Sequence, residues 1–127
     1  MRDEARAHVP RVRPGPDGAG QGGERCLICH RDSNDTVTRI PGAPGWRMPP
    51  WIMSWDGLDA VDICANITNP DVNGGRSLEA LAAHIEHDHL IAWAFAPGAG
   101  RTPPPMDYET FKARVRAWIA GGASCPE

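Results

Sequence analysis

Residues 77–96, Ser-Leu-Glu-Ala-Leu-Ala-Ala-His-Ile-Glu-His-Asp-His-Leu-Ile-Ala-Trp-Ala-Phe-Ala, carry the clearest structural pattern in the chain. Ser77 is a typical N-cap residue, and a stripe at helical spacing follows it. The stripe consists of Leu78, Ala82, Ile85, His89 and Ala92. Pro97-Gly98 then ends the pattern. The stretch therefore predicts one amphipathic helix that continues until Pro97-Gly98.

A second, shorter helix is predicted before this stretch. Asp56 is a candidate N-cap, and Leu58, Val61 and Ala65 then recur at helical spacing. Asn69-Pro70 stops this pattern before the Asn73-Gly74-Gly75 turn.

A last helix is predicted near the C-terminus. Asp107 is its candidate N-cap, and Gly121-Gly122 provides the stop. Its apolar face comprises Tyr108, Phe111, Val115, Trp118 and Ile119. No stretch alternates polar and apolar residues in the manner of a strand. The predicted fold class is therefore mainly α, a small single domain of three to four helices with long irregular loops.

Proline and glycine divide the rest of the chain. Residues 1–25 combine both residue types with Arg and Asp, and they are predicted to form a flexible N-terminal arm. Residues 31–55 hold several Pro and Gly residues between tryptophans, and they are predicted to form an irregular loop around the domain. The predicted helical domain spans 26–127.

Composition excludes two classes of partner. The 127 residues include 13 basic and 16 acidic side chains for a net charge of −3, so the basic footprint of a nucleic-acid-binding protein is missing. No run approaches the roughly 18 apolar residues of a membrane span, and no apolar signal-peptide segment is present. As written, the chain is expected to be soluble and to carry no export signal.

The sequence Cys26-Leu-Ile-Cys29-His30 is the motif with the most chemical content. Its spacing suits two thioether bonds to the vinyl groups of a haem, while the adjacent imidazole binds the iron. The same residues are also compatible with a redox dithiol, or with one half of a zinc site. Spacing alone leaves these interpretations open.

A haem iron used for electron transfer usually has a second axial ligand. Met48 is one candidate because it precedes Pro49, although it follows His30 by only about 18 residues and would need an extended path. His84 is the preferred candidate, with or without His87, which lies three positions later on the predicted helix. Copper or zinc is the alternative, with ligands Cys26, Cys29, His84 and His87.

Two further cysteines lie far from this motif. Cys64 falls in the first predicted helix and Cys125 just after the last one, so neither belongs to a compact ligand set. A disulfide that closes the helical domain is the plain interpretation, worth about 2–4 kcal/mol. Such a bond requires an oxidising compartment.

Several further motifs are spread over about 26–126. They are Cys26 to His30, Trp46-Arg-Met-Pro-Pro, Ile63-Cys64-Ala, Asn73-Gly-Gly-Arg, His84, Trp93-Ala-Phe-Ala-Pro-Gly-Ala-Gly-Arg, and Trp118 to Cys125-Pro126. Together they resemble a group of small bacterial C-x-x-C-H proteins that are often labelled isoquinoline 1-oxidoreductase subunits. The resemblance implies an often exported protein similar to cytochrome c. Cys26, Cys29, His30 and His84 match its pattern, and Cys64 with Cys125 match its additional cysteine pair.

The leading hypothesis is a cytochrome c-like redox protein with haem c, in which His30 is one axial ligand and His84 the other. It would exchange single electrons with a partner oxidoreductase. The alternative is a copper or zinc metalloenzyme that acts on a small molecule, or a structural zinc module; whether the chain is an enzyme stays open. Haem c and the disulfide favour a periplasmic or exported location, whereas a chain complete as written favours the cytoplasm.

Overall fold

A computed structural model describes residues 20–21, 24–47, 51–53, 55 and 57–127. The described part is mainly helical, as predicted, with four α-helices: α1 Ala60–Ile67, α2 Leu78–His87, α3 His89–Phe95 and α4 Tyr108–Ala120. Two short 3₁₀-helices, Cys26–Ile28 and Trp51–Met53, precede them. Helices α2, α3 and α4 contact one another, and α1 is joined to the C-terminal tail by a disulfide.

A short hairpin immediately precedes the C-x-x-C-H motif. Strands β1 Gly20–Gln21 and β2 Glu24–Arg25 pair in antiparallel register, with Gly20 opposite Arg25. No strand is predicted here from the sequence, because two residues per strand are too few to produce an alternating pattern. Residues 1–19, which form most of the predicted arm, lie outside the described residues.

The long helix predicted from Ser77 is in fact two helices. Ser77 caps α2 as expected, but the chain turns extended at Asp88, where ψ is 123°. The Asp88 carboxylate accepts hydrogen bonds from the backbone N–H groups of Leu90 and Ile91, so that it caps α3. An aspartate within an apolar periodicity thus ended one helix and began the next.

The other helix ends follow from capping chemistry. Asp107 caps α4 by accepting from Thr110 N–H, and Gly121 follows its last residue, both as predicted. Helix α1 starts later than expected because Asp59 caps it by accepting from Asp62 N–H. The candidate cap Asp56 lies outside the described residues.

Aromatic and charged contacts join the last three helices. The Phe95 ring in α3 lies 5.1 Å from the ring centroids of both Tyr108 and Phe111 in α4. Arg116 in α4 binds Glu86 in α2 through two hydrogen bonds of 2.5 and 3.0 Å, and it also contacts Glu79. These contacts place α4 across the face of α2 and α3.

The predicted disulfide is present between Cys64 in α1 and Cys125 after α4. It closes a segment of 61 residues that contains α2, α3 and α4. The two ends of the helical region are therefore covalently joined. No helix in the described part of the chain is both long and apolar enough to cross a membrane.

Candidate functional site

The C-x-x-C-H motif forms a tight turn. The backbone N–H groups of Cys29 and His30 both donate to the Cys26 carbonyl, at 3.2 and 2.9 Å. Both cysteines are free; Cys26 is half-buried and Cys29 exposed. The turn therefore holds two accessible thiols directly next to His30. His30 itself is buried, with only 8% of its surface exposed.

A hydrogen bond at the ring edge and a stacking contact on one face fix the orientation of the His30 ring. Its Nδ1 lies 2.7 Å from the Pro41 carbonyl oxygen. Because a carbonyl can only accept, Nδ1 carries the proton, and in the neutral ring the lone pair is on Nε2. The Trp46 ring stacks on the imidazole with centroids 3.7 Å apart and planes 4° apart. The stacked indole covers one face of the imidazole.

Pro41 reaches His30 because the chain folds back on itself between residues 30 and 47, a segment that we call the His30 loop. Ala43 N–H donates to the Arg31 carbonyl at 3.0 Å, and Asp35 N–H donates to the Ile40 carbonyl at 2.9 Å. Gly42 lies so close to the outgoing chain that a Cβ there would be 2.1 Å from the Ser33 carbonyl oxygen. Only glycine fits this approach.

A tight turn places Trp46 over His30. Trp46 N–H donates to the Ala43 carbonyl at 2.9 Å, with Pro44 second in the turn and Gly45 third, at φ 68°. Proline followed by a glycine with positive φ is typical of a type II turn. His89, the first residue of α3, fixes this turn from outside, since its Nε2 lies 2.9 Å from the Pro44 carbonyl.

His84, the preferred second ligand from the sequence, is a half-buried residue of α2. Its Nδ1 lies 3.7 Å from an Asp88 carboxylate oxygen. Burial lowers the pKa of His84 from its usual value, and the nearby charge of Arg76 lowers it further. Asp88 opposes this pKa shift, whereas Arg47 of the His30 loop adds to it. The ring therefore favours the neutral form that binds metals.

His87 lies in different surroundings from His84. It is exposed on α2 and borders a groove against α4 that is lined by Glu86, Glu109, Lys112 and Arg116. Within the described residues, no group of three or more His, Cys, Asp or Glu side chains is placed to hold a metal ion. The copper or zinc site with ligands Cys26, Cys29, His84 and His87 thus stays a prediction, as does haem.

Two further residues belong to the loop before α1. Met48, the alternative axial ligand, lies outside the described residues. Trp55 has an indole Nε1–H that is buried without a hydrogen-bond partner among the described residues. A buried donor without a partner destabilises the folded state by about 1–3 kcal/mol.

Sequence reasoning missed the side chains that organise the His30 loop. Asn34 and His89 both bridge the loop to distant parts of the chain, and neither was a candidate for such a role. The Pro41-Gly42 and Pro44-Gly45 pairs were the available signal, because repeated Pro-Gly steps indicate turns. No local sequence pattern predicts which carbonyl oxygen will lie next to a histidine.

No protein-family model, no curated protein and no solved structure matches the chain.

Proposed function

We propose that the chain is a small electron-transfer protein that carries haem c through Cys26 and Cys29, with His30 as an axial ligand of the iron. The observation that carries this proposal is the setting of His30. The residue is buried directly after two free thiols, and its Nδ1 donates to a backbone carbonyl. Histidines that bind metals are usually oriented in this way, with the other ring nitrogen held by an acceptor.

The states of the four cysteines support covalent attachment at the motif. Cys64 and Cys125 are joined to each other, whereas Cys26 and Cys29 are free thiols. Cys26 and Cys29 would hold the haem by adding each S–H across one vinyl group, a reaction that would require no oxidant. The disulfide removes the two other thiols from this chemistry, so attachment is directed to one place.

The packing of the domain also fits a large apolar group. Among the described residues, the apolar side chains that are almost completely buried are only Ala43 and Ala82, at 0% and 1% exposure. A domain of this size normally buries several larger side chains. The buried Trp55 N–H has no hydrogen-bond partner among the described residues. A carboxylate of a haem is chemically suited to accept a hydrogen bond from it.

Haem c, when bound, supplies an iron that takes up or releases one electron. The contribution of the protein is to orient His30, the proposed axial ligand. The Pro41 carbonyl keeps the His30 proton on Nδ1, and Trp46 fixes the ring plane. The indole also excludes water from one face of the imidazole, and low polarity near a haem raises the reduction potential.

The finer parts of the proposal concern fold, second ligand and partner. The four helices of the described part support the proposal of a cytochrome c-like fold. His84 is proposed as the second axial ligand because it is half-buried and favours the neutral form. The partner is an oxidoreductase that exchanges single electrons. Thioether attachment and the disulfide together favour an oxidising compartment.

The decisive experiment is intact mass under denaturing conditions, with an absorption spectrum, on the full chain produced in a host that attaches haem. We expect one haem mass per chain and a Soret band. The double variant C26A/C29A should lose the added mass. The matched control C64S/C125S should keep it, because that cysteine pair is proposed to be structural.

His84→Ala tests the second ligand on the same material. We expect a changed iron spin state in its spectrum, and an unchanged spectrum would remove His84 from the site. The absence of both added mass and Soret band would contradict the haem proposal. Copper or zinc at one per chain would then favour the non-haem site.

A further inference from the structure

A single peptide group links His30 to a second side chain. The carbonyl of the peptide between Pro41 and Gly42 accepts from His30 Nδ1 at 2.7 Å. The N–H of the same peptide donates to Asn34 Oδ1 at 3.0 Å. The C=O and N–H of a trans peptide lie in one plane and point in opposite directions. His30 and Asn34 therefore bind the two sides of one rigid unit.

The Asn34 amide is held in one orientation. Its Nδ2 donates to the carbonyls of Pro97, at 2.7 Å, and Ala99, at 3.1 Å. Both of these partners can only accept, so the nitrogen must face them and the oxygen must face Gly42. Asn34 is thereby anchored to the turn after α3, more than sixty residues away in sequence.

The resulting hydrogen bonds run in one direction, from His30 through the peptide to Asn34. When Asn34 Oδ1 accepts from the peptide N–H, it polarises the peptide and makes the Pro41 oxygen a stronger acceptor. A stronger acceptor on Nδ1–H makes Nε2 a more basic ligand. A more basic axial ligand favours the oxidised state of the iron it binds.

We propose that Asn34 is a positioning residue that sets the orientation and basicity of the His30 imidazole through the Pro41–Gly42 peptide. The effect on an iron rests on the proposed function. The effect on the His30 Nδ1 proton does not, because the hydrogen bonds exist within the chain itself. Two separate readouts are therefore available.

Two substitutions at Asn34 distinguish an effect on the basicity of His30 from simple structural support of the His30 loop. Asn34→Ala removes the acceptor for Gly42 N–H together with both links to the α3 turn. Asn34→Asp also loses the links to Pro97 and Ala99, but it keeps an acceptor, now charged, for the Gly42 N–H. Asn69→Ala is the matched control, since Asn69 accepts from Asp71 N–H in a different turn.

The first measurement is the ratio of oxidised to reduced protein at a fixed applied potential. We expect Asn34→Ala to lower this ratio by up to about tenfold, the lower end of what such outer partners of a metal ligand are worth. Asn34→Asp should keep or raise the ratio, and Asn69→Ala should leave it unchanged. Shifts of the same sign and size in both Asn34 variants would overturn the proposal.

The second measurement is exchange of the His30 Nδ1 proton in the full chain, followed by nuclear magnetic resonance. We expect faster exchange in Asn34→Ala and protection close to wild type in Asn34→Asp, with unchanged amide protection in α2 and α4. An exchange rate that Asn34→Ala leaves unaltered would overturn the proposal. A chain that binds no haem would defeat the proposed function, and this proton would still decide the role of Asn34.

Discussion

The helical region, residues 59–125, and the His30 loop, residues 30–47, are held together by different interactions. The helical region uses capped helices, the Cys64–Cys125 disulfide and the contacts of Arg116 with α2. The described residues of the His30 loop contain no helix or strand. The loop depends instead on individual hydrogen bonds from side chains to backbone carbonyls, above all those of His30, Asn34 and His89.

This difference separates stability from function within one small domain. Several contacts stabilise the helical region together. When one of them is lost, the others still hold the helices in place. In the His30 loop each hydrogen bond places one particular atom, such as the Pro41 oxygen. We therefore expect substitutions in the helical region to change melting behaviour, and substitutions in the loop to change the His30 environment first.

The largest effect is expected from the disulfide. The double variant C64S/C125S releases the closure of a 61-residue segment, which corresponds to about 2–4 kcal/mol of unfolding free energy. We expect the melting temperature, followed by far-ultraviolet circular dichroism, to fall by about 10 °C or more.

A reductant is the control for that experiment. It should lower the melting temperature of the wild-type chain by a similar amount and leave the double variant unchanged. A decrease of less than about 5 °C would mean that the covalent link adds little to the packing of the helices.

A smaller and more local effect is expected at Gly42 in the His30 loop. Gly42→Ala would place a Cβ 2.1 Å from the Ser33 carbonyl oxygen, and both chains are backbone that cannot move aside without cost. We expect about 1–3 kcal/mol of destabilisation from this overpacking. Amide hydrogen exchange should accelerate at Ala43, whose N–H binds Arg31, more than within α2 or α4.

Gly121→Ala is the matched control for Gly42. An added Cβ at Gly121 has no neighbour nearer than 3.4 Å, and its φ is −82°. We expect its effect to stay within about 0.5 kcal/mol. Equal loss of protection throughout the helices of Gly42→Ala would show that the two regions unfold as one unit.

The smallest effect is expected from the Glu86–Arg116 ion pair, and it should depend on pH. The hydrogen bonds from Arg116 hold the pKa of Glu86 below its usual value. The ionised carboxylate thus stabilises the fold above the usual glutamate pKa, and this stabilisation is lost as the pH falls through the lower pKa of the folded state.

For Glu86→Gln we therefore expect a melting temperature less than about 5 °C below wild type at pH 7. The difference should close below about pH 4. Glu109→Gln is the control, because Glu109 pairs with Lys112 within α4 only. A difference for Glu86→Gln that persists unchanged at pH 3 would exclude the ion pair as its cause.

The helices show where sequence reasoning works and where it stops. Ser77 and Asp107 were identified as caps because a short polar side chain before an apolar periodicity satisfies the first N–H groups of a helix. Asp88 was missed because the apolar stripe continues across it. Its carboxylate could either remain on a continuous helix or cap a new one, and only packing of α3 against α4 selects the second.

The candidate site divides in the same manner. Cys26, Cys29 and His30 were named from their spacing, and the structure brings the two thiols and the histidine together because their separation in sequence is a single turn. Pro41, Trp46 and Asn34 could not be assigned to His30, since their contacts depend on how the loop returns. His84 belongs to α2, and no local pattern relates it to this group.

The helical class, most of the helix ends, the motif and the cysteine pair follow from the sequence. Each depends on neighbours within about one turn, or on the two cysteines that remain outside the motif. Tertiary packing was needed to separate α3 from α2. It was also needed to join the His30 loop to His89 at the start of α3 and, through Asn34, to the Pro97 and Ala99 carbonyls beyond its end. Those contacts join residues 45 to 65 positions apart, and such pairings are set by the packing of the whole domain.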